Sequence, residues 1–123
     1  MTATDRAREL TQAAAEAAVD KLGTDLMAFD VTDQLAITDV FLLVTAATDR
    51  QVAAVVDAIE ECLREDFDER PVRREGDREN RWVLLDYLDL VIHVQHSEER
   101  SFYALERLWR DCPRIELTLE ERR

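Results

Sequence analysis

Asp86 and Asp89 are the side chains of this sequence whose type and spacing come nearest to chemistry. Two carboxylates brought together can hold magnesium for phosphoryl transfer. A second acidic group, Asp30, Asp33 and Asp39, falls around an early turn. Neither group is accompanied by a basic, glycine-rich substrate loop, so a solvated turn is the simpler reading of both. His93 and His96 lie three apart on a predicted strand, which sends them to opposite faces. Cys112 would have to converge on them from another element, and a tetrahedral site needs more ligands than this spacing offers. No Gly-x-Ser-x-Gly elbow exists, and Cys62 and Cys112 have no histidine at catalytic spacing. Gly23 and Gly76 are the only glycines, which excludes phosphate-cradling loops of the Walker or dinucleotide type. The sequence therefore offers no catalytic, cofactor-binding or metal-binding residues.

The elements that position these groups begin with a helix. Thr2-Ala3-Thr4-Asp5 can cap it, Leu10, Ala14, Ala17, Ala18 and Lys21 step along one side, and Gly23 stops it. Residues 26–31 alternate as a strand with Met27, Phe29 and Val31 to one side, and Thr32-Asp33-Gln34 is a turn. Residues 39–45 are apolar on both faces, the mark of a central strand. Thr48 and Gln51 match a capping box opening a second helix. That helix turns Val52, Val55, Val56, Ile59, Cys62 and Leu63 inward. Phe67 and Pro71 mark its end, residues 71–74 suit an edge strand, and 75–80 form a charged loop.

Residues 82–86 and 89–96 follow as an apolar hairpin about Tyr87-Leu88. Ser97 caps a last helix carrying Phe102, Leu105, Leu108 and Trp109, which Pro113 ends. A short strand is available at Ile115, Leu117 and Leu119. The order α-β-β-α-β-β-β-α predicts a single α/β domain, a mixed sheet of about five strands with helices mainly on one face. Residues 1–113 form the domain, and 114–123 a polar C-terminal tail.

The hairpin has two unlike faces. A two-residue turn at Tyr87-Leu88 sets Asp86 opposite Asp89, Leu84 opposite Val91 and Trp82 opposite His93. Val83, Leu85, Leu90, Ile92 and Val94 make the other face, which belongs against helices. Facing aspartates are destabilising unless a cation sits against them. Trp82 ringed by Asp86, Asp89 and His93 has the build of a protein interface, an aromatic centre with a charged rim. Tyr103 adds contact from the last helix, while Phe102, Leu105 and Trp109 read as core. Core packing is the rival reading for Trp82.

Bulk charge points the same way. The 123 residues include 16 basic and 28 acidic side chains, a net charge of −12. Such a surface repels phosphate backbones and favours a basic protein partner, although taken without any motif the acidity reads first as a device for solubility. Two cysteines make no disulfide framework and read as reduced, core-facing residues. Residues 2–9 are polar and charged, no signal peptide is expected, and no apolar run reaches membrane-spanning length. The expected location is the cytoplasm, without membrane contact.

Asp49-Arg50-Gln51-Val52, Trp82-Val83-Leu84-Leu85-Asp86-Tyr87, Asp89, His93-Val94, Phe102-Tyr103, Leu105-Glu106 and Leu108-Trp109 together resemble the ribosomal silencing factors, also called the Iojap-like family. The resemblance runs from about Leu10 to Pro113. It implies a nucleotidyltransferase-like fold without catalytic residues or cofactors. It also implies docking on the large ribosomal subunit at the protein universally numbered fourteen. Small-subunit joining would be blocked and translation repressed, with a homodimer and little direct nucleic-acid contact. The implied partner-binding residues are Trp82, Leu84, Asp86, Tyr87, Asp89, His93 and Tyr103. Leu88 stands where glycine is frequent, Ala46-Ala47 where Ser-Gly is commoner, and Gln95-His96 where an aromatic often comes. The alternative is a magnesium-dependent nucleotidyltransferase or nucleotide binder using Asp86 and Asp89.

Overall fold

The computed structural model describes residues 2–76 and 79–119. Thr4 accepts a hydrogen bond from the Ala7 amide at 3.1 Å and opens α1 (Asp5–Asp20). Its end is a Schellman turn: Leu22 N donates to Val19 O and Gly23 N to Ala18 O at 2.8 Å. Leu22, not Gly23, takes the left-handed backbone, with φ 68°. Glycine is required at 23 for a different reason, since a Cβ there would stand 2.8 Å from Ala18 O.

β1 (Thr24–Asp30) and β2 (Val40–Ala46) pair antiparallel. Thr48 then caps α2 (Asp49–Phe67) through the Gln51 amide, while the Gln51 side chain accepts from Ala47 N. β3 (Arg73–Gly76), β4 (Trp82–Asp86) and β5 (Leu90–His96) follow. A short α3 (Ser97–Tyr103), a 3-10 turn (Leu105–Arg107) and β6 (Arg114–Ile115) complete the order. The sheet runs β3-β4-β5-β2-β1-β6, with β2 and β5 parallel and the other pairs antiparallel. Among the described residues this is a single α/β domain with a mixed sheet of six strands and three α-helices. The sixth strand is Arg114–Ile115, so the sheet continues past residue 113 into the expected tail. Gln12 holds the segment beyond it through both N and O of Thr118. Residues 77–78 of the expected charged loop and 120–123 of the tail lie outside the described residues.

Both long helices cover one face. Leu10, Ala14 and Ala18 of α1 and Val52, Val55, Val56, Ile59 and Leu63 of α2 close over Leu42, Val44, Val83, Leu85, Ile92 and Val94. Each large aliphatic side chain removed from water there contributes about 1.5–3 kcal/mol. Cys62, expected inward, is only half-buried. On the opposite face a smaller cluster joins Phe29, Val31, Leu43 and Cys112 to Leu105 and Trp109.

Two local expectations are corrected. The hairpin turns at Leu88-Asp89, one residue later than the Tyr87-Leu88 link: Tyr87 N donates to Leu90 O at 2.8 Å. Leu84 therefore pairs with His93, Asp86 with Val91 and Trp82 with Gln95. Partners move by two residues, so every side chain keeps its face although no pair survives. The shift lets Tyr87 bury its ring on the helix side, and Leu88 bears the cost, with φ 72°. The last helix, expected to run on to Trp109, ends at Tyr103, because Ala104 turns left-handed at φ 44°. That break brings Leu105 and Trp109 onto the sheet and leaves Phe102, expected in the core, 81 % exposed and Leu108 71 % exposed. His96, not Ser97, is the cap: its Nδ1 accepts from Glu98 N.

Candidate docking face

The face away from α1 and α2 is only partly roofed. β4 supplies Trp82 and Leu84, β5 supplies Val91, His93 and Gln95, and β2 supplies Phe41, Leu43 and Thr45. α3 covers one end. There the buried Arg100 donates to Thr45 Oγ1 at 2.8 Å and pairs with Glu106 at 3.4 Å. Arg81 ties the start of β4 to α3 through Glu98 at 2.9 Å and Glu99 at 3.1 Å. These pairs set α3 at a fixed height above the strands.

Across this face runs a series of rings in contact. Phe102 meets Tyr103 with centroids 5.0 Å apart, and Tyr103 meets Trp82 at 4.8 Å. Trp82 lies 5.9 Å from His93, His93 lies 5.4 Å from Phe41, and Phe41 meets Trp109 edge-on at 4.9 Å. Tyr103 is 48 % exposed, Trp82 and Leu84 are half-buried, and His93 is 7 % exposed. Trp82 Nε1–H donates to His93 Nδ1 at 3.1 Å. Burial holds the His93 imidazole well below its ordinary range, at about 4.

The seven residues expected to bind a partner are thus divided by the fold. Trp82, Leu84 and Tyr103 share the ring-lined face. His93 stands behind Trp82 instead of at the surface. Asp86 caps the turn by accepting from Leu88 N at 2.9 Å and faces Arg73 at 3.9 Å. Asp89 is exposed in the turn itself, so the two aspartates do not oppose each other. Tyr87 is 4 % exposed among the helix-side core residues and offers no contact surface. Phe102, expected in the core, stands instead at the exposed end of this ring series, because an alanine at 104 gives no sign that the helix stops there.

Within the early acidic group Asp30 and Asp39 prove structural, while Asp33 is exposed in the turn. Asp30 accepts from Ala3 N at 2.8 Å and from Thr32 Oγ1 at 2.7 Å, with Arg8 at 3.7 Å. Burial alone would raise its carboxyl, but the bonds from Thr32 and Ala3 and the Arg8 charge outweigh it and hold the group below the usual range. Asp39 accepts from Thr4 N at 3.0 Å. Both carboxylates clamp the segment that leads into α1. Among the described residues no three His, Cys, Asp or Glu side chains are grouped to hold a metal ion. No helix among them is long and apolar enough to cross a membrane.

The class defined by fold and face is a small single-domain α/β protein with one sealed sheet face and one open, aromatic face. Comparison with known proteins places it further. The family described as "Ribosomal silencing factor during starvation" matches residues 4–123. The ribosomal silencing factor of Bacillus subtilis is 37 % identical over 113 residues, which cover 89 % of this chain and 92 % of that one. The factor from Halalkalibacterium halodurans is 37 % identical over 110 residues, covering 89 % and 93 %. A crystal structure of a Chromobacterium violaceum protein superposes with a TM-score of 0.79 at 27 % identity, covering 92 % of each chain. This chain belongs to the ribosomal silencing factor family.

Proposed function

We propose that this protein is a non-catalytic translation repressor. It docks on the large ribosomal subunit at the protein universally numbered fourteen and excludes the small subunit sterically. Family membership supports the ribosomal setting. The observation that carries the choice of surface is the half-exposed Trp82, held between Tyr103 and His93 on the sheet face that the long helices leave open. Large aromatics at the centre of a patch dominate binding energies when truncated. The net charge of −12, with Asp89 exposed at the hairpin turn, suits a basic ribosomal protein. The separation of Asp86 and Asp89 removes the facing pair on which a magnesium site was premised.

Sedimentation tests the reading. Added protein keeps purified subunits apart, and unchanged joining at a saturating dose overturns it. Asp86→Arg with Asp89→Arg weakens capture of the large subunit, most at low salt. Full capture by that folded variant would remove the acidic rim from the account.

A further inference from the structure

We propose that His93 is a positioning residue for the docking face: its unprotonated Nδ1 accepts the Trp82 indole N–H and holds that ring in the orientation a partner meets. This rests on the docking reading above and deepens it.

Three observations converge. The indole nitrogen can only donate, so a 3.1 Å contact with Nδ1 requires the neutral imidazole with its proton on Nε2. Nε2 is buried and has no hydrogen-bond partner among the described residues. The imidazole is thus retained in an apolar setting for the single bond to Trp82. The tilted ring contact at 5.9 Å and the Tyr103 ring at 4.8 Å then restrain the indole from two sides. An anchor ordered before binding loses less freedom on binding. Leucine would fill the same space without an acceptor. Asparagine places an amide oxygen near the position of Nδ1, whereas the glutamine amide reaches past it.

Nitrogen-15 labelled full-length protein reads the bond directly. A nitrogen–nitrogen coupling across the hydrogen bond, between Trp82 Nε1 and His93 Nδ1, is expected in the free protein, with Trp109→Phe identifying the second indole. His93→Leu should abolish the coupling and weaken large-subunit binding roughly threefold to tenfold. His93→Asn should recover most of the affinity and His93→Gln should not, with thermal melts confirming that each variant is folded. Absence of the coupling in the unaltered protein overturns the assignment. So does full binding by His93→Leu where Trp82→Ala has lost it. Full binding by Trp82→Ala instead overturns the docking face itself, and this role with it, whatever the coupling shows.

Discussion

The two faces of one sheet obey different rules in this molecule. On the helix side every position from Val83 to Val94 that points inward is apolar and buried, and the lining changes little along the strands. On the other side, strands of the same sheet carry Trp82, His93, Gln95 and Thr45 beside Phe41 and Leu43. The first face is what a core requires. The second retains polar groups and partly exposed rings, a combination that raises the cost of the folded state unless the surface has another use. On the docking reading proposed above, stability and partner binding fall to opposite sides of the same strands.

The largest effects should separate the faces most sharply. Leu85→Ala removes a fully buried side chain from the helix side and should cost about 2–5 kcal/mol in denaturant unfolding, with affinity unchanged for the molecules that remain folded. An equal loss of affinity would mean that the faces are not independent.

Next in size is a pH effect confined to the open side. Burial holds the His93 imidazole at about 4 in the folded chain, below its ordinary 6.5. Its depressed value means that the unfolded chain binds the extra proton first. Stability is then intact above pH 6.5 and falls as pH drops toward 4, by about 3 kcal/mol in all. Asp30, also depressed, adds a further loss below its ordinary 3.8. Unfolding measured across that range should flatten between pH 6.5 and 4 in His93→Asn, and a profile identical to the parent would contradict the buried, neutral imidazole.

Trp82→Ala should give the reverse of Leu85→Ala: a smaller change in stability, but a loss of about 2 kcal/mol or more in large-subunit affinity. Titration of labelled protein against purified subunits checks it. The smallest change is Phe102→Ala at the exposed end of the ring series. Stability should stay within about 0.5 kcal/mol, with affinity measurably reduced. Unchanged affinity would end the docking patch at Tyr103.

Local signals were legible wherever the physics is local. Thr4 and Thr48 are caps because their hydroxyls meet amides three residues on, and the alternation of Val83, Leu85, Ile92 and Val94 could serve only one buried face. The central place of the apolar strand expected at 39–45 followed from the same logic, since β2 is paired along both edges and all of it but Phe41 is buried. The docking face was legible in part. Parity placed Trp82, Leu84 and His93 together, and a two-residue loop moved by one position shifts the partners by two, which keeps them on one face.

Sequence alone thus determined the order of elements through α3, the caps of the two long helices and which strand residues share a side, because each depends on neighbours a few positions away. Tertiary structure decided the rest. It moved the turn to Leu88-Asp89, where burying the Tyr87 ring outweighs a left-handed leucine. It broke the last helix at Ala104 so that Trp109 could reach Phe41, and paired the short strand at Ile115 with β1 at the sheet edge. It also buried His93 behind the Trp82 indole instead of leaving it on the rim, a depth that spacing along the chain does not encode.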